Sequence, residues 1–590
     1  MTLPRRQALG MSLERPAGKD RFLGSLGRML ASANRPWARA RTSPLTQPPA
    51  DHRPSQGRVV GVASVIWAAS IFLSRVMGLA REQVVGRTLG ASREADIYFA
   101  SFTLPDFLNY LLAAGALSIV FIPIFLAHFQ RGDEAGGWRA FSIVANFLGV
   151  AGLVGIVALM VFARPLAGLV APGLTHPHDV ETLTRLTRII LPAQFFHVIG
   201  GLLSASLMAR DLHLLPALAP LVYSAAIIAG GLIGAEFPGV GAEGFAWGTL
   251  IGSVLGPFAL PLFGCLRSGM RWRPTFSLRD PDLLRYLWLS LPIMLGFSIV
   301  AVDEWIIKNQ ASYLDPGSIS YLQYARTLMK TPMGVFGMAT GVAAYPTLSR
   351  LVSAGEIVEA YHLLSRAVRL MLAATFGAQV CLTVAGFEAV YLIWGLFAKR
   401  FTIDDAQMTA ATLAFLSLGL AGWSAQTVIS RGFYALGSTW PPTLLGTAIA
   451  VAVVPLYVGL REAFGEYGLA IASALAITIY VLLLGGLQRL RFEREAAARG
   501  AALKTEAGML DGAVRLGLAA IMAIGLTLAA RPWLLQQLPG LGLWALFSRG
   551  AALCALGLIL YATLARMLGV QEIGDVARMA ARRLRPRALA

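Results

Sequence analysis

Residues 140–163 read AFSIVANFLGVAGLVGIVALMVFA and contain no lysine, arginine, aspartate or glutamate. About 20 apolar residues in a helix are enough to cross the roughly 30 Å hydrocarbon core of a bilayer. Similar runs recur along the chain between short polar links, and we predict about fourteen spans. They lie near residues 60–85, 95–127, 140–163, 186–209, 213–235, 244–266, 286–312, 318–349, 367–392, 406–430, 440–460, 467–488, 513–530 and 541–566. The pattern therefore indicates an all-α polytopic membrane protein.

The composition of the whole chain agrees with this fold class. Of its 590 residues, 56% are hydrophobic and 14% are charged, whereas an ordinary soluble domain carries roughly 25% charged residues. A soluble fold would not bury so much apolar surface. Cys265, Cys381 and Cys554 are far apart and form no CxxC motif, so neither a disulfide framework nor a metal site is predicted.

The net charge of +18 follows from membrane topology and does not require a nucleic-acid partner. If the N-terminus is cytoplasmic, the cytoplasmic links and tails hold 34 lysines and arginines, and the outer links hold 9, with residues at span edges counted in the adjoining link. Basic residues concentrate on the cytoplasmic side of membrane proteins. The asymmetry predicts an even number of spans with both termini in the cytoplasm.

The chain divides into regions of contrasting composition. Residues 1–58 hold 11 lysines and arginines and predict a disordered cytoplasmic tail. The alternative is that 21–32 form a basic amphipathic helix on anionic lipid. A cleavable signal peptide is not expected, because the first apolar run begins at Val59 and contains arginines. The other predicted regions are an N-terminal lobe (59–285, spans 1–6), a C-terminal lobe (286–488, spans 7–12), a basic cytoplasmic link (489–512), spans 13 and 14 (513–566) and a basic cytoplasmic tail (567–590).

The two lobes are predicted to be copies of one unit. Sliding one half on the other by about 224 residues places Gly132 on Gly355, and three further matches follow the same order: Pro123 with Pro346, Pro216 with Pro441 and Gly244 with Gly468. Four ordered matches at a nearly constant offset indicate an internal repeat. An offset of six spans keeps both halves in the same orientation, so the binding cavity is expected between them.

Basic residues within the spans identify the candidate binding site. Seven lie inside apolar runs: Arg75, Arg81, Lys308, Arg326, Lys330, Arg369 and Arg549. Each costs at least about 2.5–3.5 kcal/mol near the bilayer centre unless it faces water or a partner. Guanidinium groups bind phosphate oxygens in a bidentate manner. We therefore assign Arg75 and Arg81 of span 1 and Arg326 of span 8 to the binding of a pyrophosphate headgroup.

The remaining charged residues of the spans have other interpretations. Arg369 and Arg549 are close to span ends and are expected to extend toward the membrane interface. Lys308 has the i,i+4 spacing for an ion pair with Glu304.

Two further assignments concern gating and coupling. Asp96, at the start of span 2, is either a gate residue that orients Arg81 or a helix N-cap. Lys330 of span 8 is a second gate or orienting candidate. Asp303 and Glu304, in span 7, are candidates for binding a coupling cation.

No catalytic or cofactor site is predicted. The GVGAEG segment at 239–244 matches GxGxxG, but it joins two membrane helices and predicts a turn. His128 and Asp133 have the HxxxxD spacing of some acyltransferases, yet the second half has Leu351 and Glu356 there, which favours a hairpin loop. Because no nucleophile, metal set or phosphate-binding loop accompanies them, we expect a transporter without cofactor, metal or ATP hydrolysis, and a transferase is a distant alternative.

Four segments resemble a known family: SRVMGLARE (Ser74–Glu82), ADIYFASFTLPDFL (Ala95–Leu108), AAGALSIVFIPIF (Ala113–Phe125) and ARTLMKTPMGVFGMATGVAAYPTLSR (Ala325–Arg350). From about Val59 to Gln488 the chain is similar to the MurJ (MviN) lipid II flippases of the multidrug/oligosaccharidyl-lipid/polysaccharide exporter superfamily. The resemblance implies a bacterial inner-membrane protein with fourteen spans, in two pseudo-symmetric six-helix lobes plus two C-terminal helices. It further implies a cationic central cavity, alternating access, and family residues at Arg75, Arg81 and Asp96.

Several positions depart from the pattern that this resemblance implies. Asn109 and Tyr110 replace an arginine pair and Ala114 replaces a glutamate. Arg326 and Thr327 stand where the family has aspartate and arginine, which moves the arginine about 100° round the helix. The departures leave room for another polyprenyl-pyrophosphate oligosaccharide, of the O-antigen or exopolysaccharide type, as cargo.

Other function classes are carried as alternatives. One is a cation-coupled drug exporter of the same superfamily, which would favour carboxylates in its cavity, and another is a membrane scaffold without transport activity. For a flippase, the membrane potential or an ion gradient is the expected motive force. A monomer is the expected transport unit, with lipid II or a related glycolipid as its partner.

Overall fold

A computed structural model of the chain describes residues 56–112, 120–237, 239–295, 299–396, 398–438, 440–503 and 509–574. The side chains of 56–72 and 292–300 lie outside the description, as do residues 21–32, Ala114 and most of the C-terminal tail. Contacts divide the chain into Met1–Val62, of which only 56–62 are described, and Ala63–Ala590. The predicted lobe boundaries at 285 and 488 are not tested by this division and stay predictions.

The described residues are mainly helical. In chain order these are α1 Gln56–Leu89, α2 Arg93–Ser101, α3 Thr103–Leu112, α4 Ile122–Gln130, α5 Glu134–Val161, α6 Ala163–Val170, α7 Pro177–Ile190, α8 Ala193–Met208, α9 Leu214–Ala235, α10 Gly241–Ser253, α11 Leu260–Arg267, α12 Pro281–Leu295, α13 Ile299–Ala311, α14 Ser318–Pro332, α15 Ala339–Ala354, α16 Ile357–Val384, α17 Gly386–Val390, α18 Ile403–Ser417, α19 Leu420–Ala435, α20 Trp440–Ala452, α21 Val454–Ala497, α22 Met509–Gln537 and α23 Leu543–Met567. Three π-helical turns, Val254–Ala259, Met333–Met338 and Tyr391–Gly395, continue α10, α14 and α17.

The all-helical, membrane-spanning fold class is confirmed. Within the described ranges no strand occurs, and eight helical segments are long and apolar enough to cross a membrane, two of which join α7 with α8 and α10 with α11. A ninth span is obtained if α18 and α19, which are bent by 43° at a short break, count as one. The number of fourteen spans stays a prediction.

Matching helices and turns support the predicted repeat. Helices α5 and α16 are both 28 residues long, and each follows a tight turn whose glycine, Gly132 or Gly355, has a left-handed backbone. Gly241 begins α10, and Gly465, 224 residues later, interrupts α21 with a non-helical backbone. A duplicated helical unit produces such pairs, because both copies inherit the same turn geometry.

The glycine-rich segment 239–244 has a packing role. Gly239 adopts a left-handed turn conformation, and Gly244 lies in α10 against α9. A Cβ on Gly244 would lie 2.5 Å from the carbonyl oxygen of Gly230 and 2.8 Å from the Cα of Gly234. Small residues allow membrane helices to approach closely. The predicted turn is limited to Gly239 and Val240, since 241–244 form the first turn of α10, and the GxGxxG match has no nucleotide-binding context.

Predicted spans 7 and 8, which open the second half of the chain (residues 286 onward), hold most of the charged candidate residues. Predicted span 7 consists of α12, which packs against α3 and α5, and α13, which packs against α14, α20 and α21. Predicted span 8 consists of α14 and α15, separated by the π-helical turn Met333–Met338 that follows Pro332. Proline removes a helical hydrogen bond and bends membrane helices.

Candidate functional site

Four charged side chains of α13 and α14 form one network. The Arg326 guanidinium donates to Asp303 Oδ2 at 2.5 Å and lies 3.8 Å from Glu304 Oε1. Lys330 Nζ donates to the same Glu304 oxygen at 2.5 Å. The Tyr457 hydroxyl, from α21, donates to the second oxygen of Asp303. We call Asp303, Glu304, Arg326 and Lys330 the second-half network.

Pairing within this network bears on two predictions, phosphate binding by Arg326 and cation binding by Asp303 and Glu304, and both stay predictions. The Arg326 side chain is only 4% exposed, and it is held by acids, so it does not offer an open guanidinium to phosphate in this conformation. The carboxylates of Asp303 and Glu304 are likewise neutralised by Arg326 and Lys330, which leaves no free acid there for a coupling cation. Lys330, with 42% of its side chain exposed, is the accessible cation of the network.

Arg75, in α1, faces the second half and is exposed. Its Nη2 atom lies 4.0 Å from Met338 Sδ, and a Cβ on Gly334 would lie 3.3 Å from the same nitrogen. A thioether is a weak hydrogen-bond acceptor. Within the described part of the chain no carboxylate pairs with Arg75. Its donors are therefore available to an anion between the halves.

Arg81 lies six residues further along α1, and part of its guanidinium is engaged in an ion pair. Its Nη2 donates to Glu82 Oε1 at 2.9 Å, and its side chain is 28% exposed. The phenols of Tyr98 and Tyr223 are further electrostatic neighbours. The main-chain carbonyl of Glu82 accepts a hydrogen bond from Trp394 Nε1 at 2.9 Å. Since a guanidinium has five donors, Arg81 can hold Glu82 and still contact a phosphate.

Asp106 and Lys308 also face this region, and neither was predicted as a site residue. Lys308 is the leading charged neighbour of Asp106 and lies in the other half of the chain. Among the described residues Glu304 forms its closest ion pairs with Lys330 and Arg326, and Lys308 is a further charged neighbour of Glu304, so the predicted pairing of these two residues stays a prediction. An acid placed directly after Pro105, deep in an apolar span, was the sequence signal for Asp106.

The assembled charges are nearly balanced. We call the following described residues the central charge cluster: Arg75, Arg81, Lys308, Arg326 and Lys330 with Glu82, Asp106, Asp303 and Glu304. Arg75 is included because it lies against Gly334, one helical turn after Lys330. Five cations and four carboxylates leave a formal excess of one positive charge. An entering anion would compete with these acids for cations that are already oriented.

Asp96 links the two halves of the chain, and its predicted assignment as a gate residue stays a prediction. Its carboxylate accepts hydrogen bonds from the Gly317 amide at 2.6 Å and from the Ser320 amide and hydroxyl at 2.8 and 2.7 Å. It therefore caps α14 in the second half and does not contact Arg81. Its own helix, α2, is capped by Ser92, whose hydroxyl accepts from the Ala95 amide.

Further contacts between the halves surround Asp96. Tyr324 donates to the Gly90 carbonyl oxygen at 2.8 Å, and Arg400 pairs with Glu94 at 3.2 Å. Between the α6–α7 link and the α13–α14 link, the Gly173 amide donates to the Ser312 hydroxyl at 3.0 Å. We call this region the Asp96 end, and in this conformation it is closed by first-half to second-half contacts.

Two arginines predicted to extend to the interface are instead ion-paired. Arg549 is 4% exposed and donates to Glu388 Oε1 at 2.8 Å, where Arg531 also donates at 3.0 Å. Arg369 lies 3.0 Å from Glu572. These arginines form ion pairs with other helices and do not extend toward the membrane interface. The sequence of a single span cannot reveal such pairing.

His128 and Asp133 belong to a structural hairpin, as predicted. The His128 ring contacts Asp133 at 3.1 Å and Asp282 at 3.0 Å. The Gly136 amide and His128 hold the pKa of Asp133 below its ordinary value. In the described ranges no group of histidine, cysteine and carboxylate residues has the arrangement of a metal site.

Comparison with known proteins gives a consistent family. Residues 85–542 match the family described as lipid II flippase MurJ. The chain is 29% identical over 411 residues to a probable lipid II flippase MurJ of Rhizobium tropici, covering 68% of this chain and 76% of that one. It is also 29% identical over 424 residues to the lipid II flippase MurJ of Burkholderia cenocepacia, covering 70% and 80%.

Solved structures share the fold. A lipid II flippase MurJ in an inward closed conformation has a TM-score of 0.66 at 21% identity and covers 85% of this chain and 98% of its own. An inward-facing multidrug resistance MATE family transporter has a TM-score of 0.60 at 16% identity, covering 73% and 98%. Since the family match spans more than half of the residues, the chain belongs to the lipid II flippase MurJ family.

Proposed function

We propose that this protein moves lipid II across the bacterial cytoplasmic membrane by alternating access. The observation that carries the proposal is the central charge cluster, to which Arg75 and Arg81 come from the first half and Lys330 from the second. Only a site shared by both halves changes its exposure when the halves rock. Family membership supports lipid II as the cargo.

The cluster supports a specific mode of headgroup binding. Arg75 supplies a guanidinium without an acid partner among the described residues, and Arg81 and Lys330 are paired but accessible. A diphosphate would bind Arg75 first and then compete with Glu82 and Glu304 for the other two cations. The acids thereby keep the cations extended in the empty protein, so little reorganisation is needed on binding.

The orientation of the cycle follows from the charge asymmetry of the links. With the basic links and both termini in the cytoplasm, the Asp96 end is the outer end. The described conformation is then closed to the outside, and release of the headgroup requires the Asp96 end to open. A single chain contains both halves of the cluster, which supports a monomeric transport unit.

Depletion of the protein in its host tests the cargo directly. We expect lipid II to disappear from the outer face of the membrane, as measured by its accessibility to an externally added lipid II-cleaving enzyme. The control is a strain re-expressing the wild-type chain. Unchanged exposure in a host without a second flippase would reject lipid II and favour another polyprenyl-pyrophosphate oligosaccharide.

The second-half network leads us to propose the membrane potential as the motive force. Asp303 and Glu304 carry tethered cations, so binding Na⁺ there would require displacement of Arg326 or Lys330 from contacts of 2.5 Å. A potential of 100 mV contributes about 2.3 kcal/mol per charge moved. No nucleotide hydrolysis is included in this mechanism.

Transport in reconstituted vesicles is therefore expected to be independent of Na⁺. Replacing Na⁺ by K⁺ on both sides at constant potential should leave the lipid II flipping rate unchanged. Collapse of the potential with valinomycin and K⁺ should reduce the rate. A rate that follows the Na⁺ gradient at zero potential would contradict the proposal and return Asp303 and Glu304 to a coupling role.

A further inference from the structure

A separate cavity lies on the flank of the first half. It has a volume of about 860 Å³ and is walled by α5, α8, the π-helical turn Val254–Ala259 and α11. Its apolar lining includes Val150, Leu153 and Leu266, each more than half exposed. Exposed apolar side chains on membrane helices face lipid, so the cavity opens sideways into the bilayer. We call it the flank groove, and it shares no lining residue with the central charge cluster.

One end of the flank groove is built by the link between α11 and α12. Asn146, within the apolar stretch of α5, donates to the carbonyl oxygens of Arg273 and Thr275 at 2.9 and 2.8 Å. Its side-chain oxygen accepts from Trp272 Nε1 at 3.0 Å, and Ser142 Oγ accepts from the Arg273 amide at 3.1 Å. These bonds hold the link over the groove, so the groove is formed before any ligand enters.

The same end carries positive charge. Arg271 is exposed and is the one charged side chain among the described residues that line the groove. Arg267, close by, lies over the ring of Phe263 at 4.4 Å. The nearby Asp280 is neutralised by Arg139 at 2.6 Å. A tryptophan beside exposed arginines is typical of the headgroup level of a membrane, where a guanidinium binds phosphate.

The length of the groove selects the kind of chain that fits it. On α5 its lining runs from Phe141 to Leu153, a rise of roughly 18 Å at about 1.5 Å per residue. Half of the hydrocarbon core is about 15 Å thick. The groove therefore matches an acyl chain of a single leaflet, entering from the Arg271 end and finishing near the bilayer midplane.

We propose that the flank groove binds an anionic phospholipid, with one acyl chain between α5, α8 and α11 and the headgroup phosphate on Arg271. This lipid is a resident ligand of the first half and is distinct from the transported glycolipid. It would hold the link between α11 and α12, which Asn146 binds, against α5 and α8 while the two halves move.

Native mass spectrometry of the purified full-length protein tests this site. The probes are phosphatidylglycerol and phosphatidylcholine of identical chains, added after delipidation. Gly149→Phe should block the groove: a Cβ there would meet Phe195 and Ile199 at 3.6 and 3.7 Å, ordinary contacts, and the ring would extend into the cavity. Arg271→Ala removes the headgroup contact and leaves the groove open.

The expected result is one tightly held phosphatidylglycerol on the wild-type protein. Both probes carry the phosphate, but the choline cation of phosphatidylcholine neutralises its charge, so the net-anionic phosphatidylglycerol should be preferred roughly fivefold, as expected for an exposed charge pair. Arg271→Ala should bind both lipids equally, and Gly149→Phe should bind neither at this site. The matched controls are Arg285→Ala, an exposed arginine of α12 outside the groove, and Gly525→Phe, a glycine of α22 with no atom near its Cβ position. Both should behave as wild type.

Three outcomes would overturn the proposal. One is undiminished retention of phosphatidylglycerol by Gly149→Phe. Another is an unchanged headgroup preference in Arg271→Ala, a variant that alters no buried residue and so tests the site even if Gly149→Phe does not fold. The third is stoichiometric displacement of the lipid by lipid II, which would assign the groove to the cargo.

Discussion

Arg75→Ala is expected to abolish growth rescue in a host depleted of its own lipid II flippase, while the amount of protein in the membrane stays normal. Arg75 makes a single weak contact to Met338 and has no acid partner in the described residues, so its removal breaks no ion pair. Charge-assisted hydrogen bonds to phosphate contribute about 1.5–3 kcal/mol each. The flipping rate in vesicles should fall at least about tenfold.

Two further variants distinguish the role of the Arg75 guanidinium from the effect of positive charge alone. Arg75→Lys keeps the positive charge but loses the bidentate fork, and we expect intermediate rescue. Arg285→Ala removes an exposed arginine outside the central charge cluster and should rescue fully. Full rescue by Arg75→Ala at normal abundance would remove this residue from the binding site.

Arg326→Met is expected to fail for a different reason, namely loss of folded protein. Arg326 and Asp303 are buried together, and removing one partner of a buried ion pair leaves an uncompensated charge, which costs about 3–5 kcal/mol. Thermal unfolding of the detergent-solubilised protein, followed by size-exclusion chromatography, should show a marked loss of stability and of membrane abundance. Lys330→Met, at an exposed position, should cost less.

A second substitution tests this explanation. Asp303→Asn in the Arg326→Met background removes the unpaired acid and should restore part of the lost stability, since a neutral pair at this depth is cheaper than a lone charge. If Arg326→Met retained wild-type stability and abundance yet failed to transport, Arg326 would return to the list of headgroup ligands.

The sequence was a good guide wherever the information is local or periodic. Apolar runs of span length predicted the all-helical membrane fold, because hydrocarbon leaves a spanning segment few alternatives to a helix. The offset of about 224 residues predicted paired turns, and Gly132 and Gly355 share the same left-handed backbone. The chain could also be read as having no nucleotide loop at 239–244, since the flanking segments are membrane helices.

The partners of individual charges could not be read in the same way. Arg326 and Asp303 are 23 positions apart on different helices, and their contact depends on the rotation of α13 against α14. A shift of one position turns a side chain by about 100°, which separates a headgroup ligand from a buried structural pair. The same applies to Asp106, whose neighbour Lys308 lies in the other half of the chain.

The cap that Asp96 places on α14 keeps the resting protein impermeable to protons and ions. To open the outer end, a buried carboxylate must give up three hydrogen bonds, each worth about 1.5–3 kcal/mol to a charged acceptor, and water must enter to replace them. An unloaded carrier would thus remain sealed against proton and ion leakage. The cell can then keep many copies in an energised membrane without dissipating the voltage that drives the work.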